Sequence, residues 1–130
     1  MKEEVIPYEQ AVQLNELDYN EHCIMCYYHL SNEEKKDELF IRYNNNGTNT
    51  DNSLSVPLYQ QAFRWFREKH NLYGIIIPTI TMDWTFKTTT VVYGMVEVPP
   101  YSHVDAYDYS SYEEAELECL KKLIEIIKNK

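Results

Sequence analysis

The strongest constraint in this sequence is its last segment, residues 111–130. Ser111-Tyr112-Glu113-Glu114 has the form of a capping box, in which the Ser111 hydroxyl accepts from the Glu114 N–H and the glutamate reaches back. Apolar side chains then fall at Tyr112, Ala115, Cys119, Leu123, Ile126 and Ile127, one stripe of a helix. The first half of this helix is acidic and its end carries Lys121, Lys122, Lys128 and Lys130, the order that the helix macrodipole favours. A helix with a single apolar stripe has to bury it against another element. The segments before it read as strands, so the partner is a sheet and the fold class is α+β.

Those segments are short and separated by clear breaks. Residues 8–17 carry Tyr8, Ala11, Val12, Leu14 and Leu17 at helical spacing, and the helix should stop near Asp18-Tyr19-Asn20, with Asn in the left-handed cap. Cys23 to Leu30 and Leu39 to Tyr43 lack helical period and flank a wholly polar stretch, which predicts an antiparallel pair. Residues 44–54 hold an Asn-rich run with Gly47 and read as an exposed loop. Ser55-Val56-Pro57 should open a second helix over 58–70, with Pro57 in its first turn, Tyr59, Ala62, Phe63 and Phe66 inward, and Asn71 as its end.

The next strands are Leu72 to Ile80, interrupted by Pro78 and so an edge or a bulge, then Met82 to Lys87, then Thr90 to Val98. Lys87-Thr88-Thr89 is the expected turn between the last two. Pro99-Pro100 breaks the sheet, and residues 101–110 leave room for one short edge strand. The order is α-β-β-α-β-β(-β)-α. It predicts a single two-layer domain over 1–130, an antiparallel sheet of four to five strands with helices on one face.

Composition narrows the function classes. There are 12 basic and 21 acidic side chains, a formal net charge of −9. Such a chain lacks the clustered Lys and Arg that phosphate backbones require, and it is repelled by anionic membrane. Ile75-Ile76-Ile77, the longest aliphatic run, is far below the roughly 20 residues of a bilayer span. The start, Met1-Lys2-Glu3-Glu4-Val5, has no basic-then-apolar signal pattern, so a cytoplasmic site is expected. Three cysteines (Cys23, Cys26, Cys119) suit a reducing compartment rather than a disulfide framework.

Catalytic constellations are hard to find. Cys23-Ile24-Met25-Cys26 lies between His22 and His29, but on a strand the two thiols point to opposite faces and no second pair exists. Structural thiols are the expected reading, with no metal and no cofactor. There is no nucleophile elbow, phosphate-binding glycine loop or H-E-x-x-H. A metal-dependent hydrolase built on His103, Asp105 and Asp108 is the least favoured reading, and the chain is taken as non-enzymatic.

Two surfaces remain. The 12 Tyr of the chain give rigid contact area with a hydroxyl handle, and Tyr101, Tyr107 and Tyr109 with Asp105 and Asp108 form a candidate acidic, aromatic docking surface. Arg64 and Arg67 share a helix face around Trp65. With Trp84 and Lys87 they could hold a small nucleotide-like ligand, the arginines or the lysine at phosphate and a ring on the base.

The run from Pro57-Leu58-Tyr59-Gln60-Gln61-Ala62-Phe63-Arg64-Trp65-Phe66-Arg67-Glu68-Lys69-His70 to Tyr109-Ser110-Ser111-Tyr112-Glu113-Glu114-Ala115 resembles a group of small uncharacterised proteins. These are encoded by phages and prophage-like elements of gut Bacteroidales. The likeness covers most of the chain and is structural rather than catalytic; the Asn-rich loop departs from it. It implies a small accessory protein made in the cytoplasm of a bacterial host and brings no site residues with it. The expectation is an acidic binding protein that engages a host factor and counteracts host defence. The alternatives are a sponge for a nucleotide-like ligand or a virion or assembly component, with homo-oligomerisation left open.

Overall fold

The structure is a computed structural model that describes residues 4–21, 23, 25–28, 39–41, 53–92, 95–97, 103–104 and 108–129. It is α+β, with three helices and antiparallel strands. The chain divides into two compact units, Met1–Ala62 and Phe63–Lys130. The described strands form two sheets, of three and four strands, where the sequence suggested one sheet of four to five.

In the first unit, α1 spans Tyr8–Glu16 and buries Gln10, Ala11 and Leu14. It ends where the sequence suggested, but Asp18 rather than Asn20 takes the left-handed conformation (φ 68°). The Tyr19 N–H donates to the Leu14 carbonyl at 3.0 Å and the Asp18 N–H to the Asn15 carbonyl at 3.1 Å, the paired bonds of a Schellman cap. Strand β1 (Met25–Tyr28) lies between β2 (Leu39–Ile41) and β3 (Ser53–Val56), both antiparallel to it. The expected β1–β2 pair is present.

Strand β3 was not foreseen. By sequence, Ser53 and Leu54 belong to the exposed loop and Ser55-Val56 to a helix start; residues 44–52 of that loop lie outside the described residues. Leu54 and Val56 are buried on one face and Ser55 on the other, and the alternation Ser53-Leu54-Ser55-Val56 is only four residues long, wedged between the Asn-rich run and Pro57, too short to mark a strand. Helix α2 spans Tyr59–His70, and Pro57 sits before it rather than in its first turn. The Leu58 carbonyl accepts from the Ala62 N–H, and the Gln61 side chain accepts from the Leu58 N–H at 2.9 Å, half of a capping box without its hydroxyl. Asn71, at φ 53°, ends the helix as expected.

In the second unit, β4 (Leu72–Pro78) pairs along its length with β5 (Trp84–Val92). The other edge of β5 takes β6 (Met95–Glu97), then β7 (His103–Val104), then a single bridge from Trp84 to Tyr109. These three pieces are one return strand broken by extra residues. Six steps from Glu97 to His103 match two steps along β5, and Pro99-Pro100 lies in that excess. The expected turn at Lys87-Thr88-Thr89 does not exist, because β5 runs straight through it with Thr88 and Thr89 buried. A β-branched run suits a central strand better than a turn.

Helix α3 (Tyr112–Lys128) covers the sheet face that carries Leu72, Gly74, Ile76, Phe86 and Thr88. Ser111 caps it, its Oγ accepting from the Glu114 N–H at 3.2 Å. Glu114 reaches back one residue further than the motif predicts, accepting from the N–H and hydroxyl of Ser110. The buried stripe is Ala115, Cys119, Leu120, Leu123 and Ile124, while Ile126 and Ile127 are half-exposed. The stripe therefore turns about the axis by the end of the helix, as a 3.6-residue period does.

Candidate functional site

The clearest departure from folding logic is the β4–β5 hairpin tip. Thr79 and Asp83 close it: the Thr79 N–H donates to the Asp83 carbonyl at 2.9 Å, and the Asp83 N–H donates to the Thr79 hydroxyl at 3.1 Å. Inside the loop the Met82 N–H donates to the Thr79 carbonyl at 3.2 Å, and the Thr79 and Thr81 hydroxyls share a bond of 2.9 Å. The tip is thus held by its own hydrogen bonds. It presents Ile80 at 103 % exposure and Met82 at 91 %. Met82 sits at φ 67°, a left-handed conformation where glycine fits and a side chain costs roughly 1 kcal/mol. By sequence Ile80 reads as the end of one strand and Met82 as the first residue of an apolar alternation, Met82, Trp84 and Phe86, that opens the next. Their signal was the turn chemistry of Pro78-Thr79 and Asp83 on either side, which that alternation masked.

The same end of the unit is acidic. Trp84, the first residue after the tip to join the sheet, bridges Tyr109 and meets Tyr112 edge-on with ring centroids 5.3 Å apart. Tyr112 begins α3, so the exposed Asp108, Glu113 and Glu114 lie at the tip's end of the sheet. Half-burial and then the neighbouring Glu113 push the Glu116 carboxyl up to about 7. Burial, and then Glu116, push the Cys119 thiol up to about 12, against a backbone hydrogen bond at Ile75 that lowers it. Desolvation first and Glu116 second raise Tyr112 as well.

The nucleotide-like set is not brought together. The Trp65 ring is 4 % exposed and packed edge-on against Phe66 (5.0 Å) and His70 (4.8 Å), so it belongs to the core and is not free to stack on a base. Trp84 and Lys87 are three residues apart on one strand, which puts them on opposite faces of the sheet. Arg64 is exposed and Arg67 half-exposed on α2. Of the docking surface, Tyr101, Asp105 and Tyr107 lie outside the described residues. Asp108 is exposed, and Tyr109 is half-buried and stacked on Phe86 with centroids 6.2 Å apart, a ring that covers the core.

Cys23, Cys26 and Cys119 are free and buried. The Cys23 thiol donates to the Glu21 carbonyl at 3.4 Å and lies 3.9 Å from the Tyr19 hydroxyl. Among the described residues no group of three or more His, Cys, Asp and Glu could hold a metal ion, and no helix is long and apolar enough to cross a membrane. No family model, curated protein or solved structure matches this chain.

Proposed function

We propose that this chain is an acidic, non-enzymatic binding protein that docks on a partner protein through the β4–β5 hairpin tip. One observation carries the reading: Met82 is strained in its backbone and almost fully exposed in its side chain. Folding favours glycine at that dihedral angle and burial for that side chain, and the residue meets neither preference. A surface that departs from folding logic at an ordered position is where a functional contact is expected. Ile80 beside it doubles the apolar anchor, and interfaces concentrate their energy in a few such residues.

The chemistry of the partner follows from the surroundings. An apolar pocket receives Ile80 and Met82, and basic side chains around it face Asp83, Asp108, Glu113 and Glu114. Charge complementarity of this kind speeds association and makes it sensitive to salt. The sequence resemblance supports a host factor in a bacterial cytoplasm as that partner, with the chain as a phage-type accessory protein that counteracts host defence.

A photo-crosslinking residue at position 82, expressed in the bacterial host, tests the reading. It should give one covalent adduct with a host protein, absent when the same probe replaces the exposed Glu68 on α2. Equal adducts at both positions, or none at 82, would overturn it.

A further inference from the structure

We infer that β4 is a self-association edge at which two copies of this chain pair strand to strand across a two-fold axis at Ile75. The inference is independent of the hairpin-tip reading. It starts from the direction of backbone polar groups. Trp84 exchanges both of its backbone bonds with Tyr109, the Trp84 N–H donating at 2.8 Å and its carbonyl accepting at 2.6 Å. Those groups therefore point away from β4. In an antiparallel pair the direction alternates residue by residue, so Tyr73, Ile75 and Ile77 bond to β5 while Leu72, Gly74 and Ile76 turn their N–H and C=O outward. The Thr79 N–H bond to the Asp83 carbonyl keeps the same alternation at the hairpin end. No described strand pairs with this outer edge.

The open stretch is short and has natural ends. Leu72 is buried at 2 % exposure, and Pro78 lacks an N–H. Between them the outward groups belong to Gly74 and Ile76, symmetric about Ile75. A second copy laid antiparallel puts Gly74 opposite Ile76 of the other molecule and Ile76 opposite its Gly74. Every outward donor in the window then meets an acceptor, four hydrogen bonds in all. The register is isologous, so a closed pair forms rather than a fibre.

Side chains fit the same register. Ile75, exposed at 41 %, lies on the axis against its own symmetry mate, and Tyr73 lies across from Ile77. β-Branched and aromatic cross-strand pairs of this kind stabilise antiparallel sheets. Residues 72–81 carry no charge, so the edge lacks the lysines and glutamates that usually protect a strand from pairing. An unrelated extended peptide would need to supply this pattern, whereas a second copy already has it.

The window is small beside the 1,200–2,000 Å² or so of a standard interface, which makes the pair weak, with a Kd on the order of 100 µM. Each copy carries −9, so added salt should strengthen self-association, the opposite of its effect on docking to a basic partner.

Sedimentation equilibrium of the full chain from about 5 to about 500 µM reads this directly. The expected average mass climbs from 15.6 kDa toward twice that value, and more steeply at higher salt. Ile75→Lys should weaken the association at least tenfold with an unchanged circular dichroism spectrum. Under mild oxidation, Ile75→Cys should give a disulfide-linked dimer, whereas Ile77→Cys should not. A monomer throughout the range, a dimer indifferent to Ile75→Lys, or equal cross-linking at 75 and 77 would each overturn the inference.

Discussion

A methyl group built on Gly74 would lie 2.6 Å from the Cys119 sulfur and 3.2 Å from a Leu123 methyl, so β4 and α3 meet with no room for a side chain between them. The close approach lets Cys119, Leu120 and Leu123 reach full burial against the sheet. Gly74→Ala should therefore destabilise the protein by about 1–3 kcal/mol through overpacking. Cys119→Ala removes the atom it strikes. Urea unfolding of both single variants and the double variant should show a favourable coupling of about 1 kcal/mol. Additive losses would mean that α3 shifts freely away from β4.

Glu116 makes stability depend on pH. Burial, with Glu113 adding to it, raises its carboxyl from 4.5 to about 7 in the folded protein. The folded state thus holds this proton more tightly than the unfolded chain. The contribution is whole below about 4.5, falls as pH rises, and is gone above about 7. Solvent screens a half-exposed group, so the penalty at pH 8 is about 1 kcal/mol. Glu116→Gln should raise the melting temperature at pH 8 by a few degrees and leave it nearly unchanged at pH 4. Equal shifts at both pH values would show that the carboxyl titrates in its ordinary range.

The three thiols should be silent in the native protein. All are buried from reagent, and burial also lifts Cys119 to about 12, so almost none of that thiol is ionised at pH 8. A chromogenic disulfide reagent should find no fast-reacting thiol in native buffer and all three in denaturant. A native thiol reacting at once would place Cys23, Cys26 or Cys119 at the surface.

What the sequence made legible follows from how each element signals itself. α3 and α2 were readable because Ser111, Asn71 and their apolar stripes mark them locally. β1 and β2 were found from the polar stretch between them. β3 was not, because Ser53-Leu54-Ser55-Val56 alternates over four residues only, between the Asn-rich run and Pro57, and its pairing partner, β1, lies far away in sequence. The run Lys87-Thr88-Thr89 looked like a turn only while its burial was unknown. The hairpin tip failed for a related reason: Met82 continues the alternation of Trp84 and Phe86, and only the left-handed turn at Met82 separates it from the strand. The nucleotide-like set failed at Trp65, since composition does not distinguish a core ring from a surface ring.

Stability and binding should separate at the tip. Met82→Gly relieves the left-handed strain, so with the flexibility it adds to the unfolded chain taken off it should leave stability unchanged or raise it by about 0.5 kcal/mol. Ile80→Ser removes a side chain that touches nothing and should change stability by less than about 0.5 kcal/mol. Thermal melts of both variants check this. A loss of 2 kcal/mol or more would show that the tip packs against something in the folded chain.

The most direct test of the docking account is the affinity of the Ile80→Ser/Met82→Gly double variant for the host protein captured from position 82, measured by titration calorimetry at two salt concentrations. The account predicts binding weakened at least a hundredfold in a protein that melts no lower than the wild type, with wild-type affinity falling as salt rises. Undiminished affinity in the double variant would contradict it.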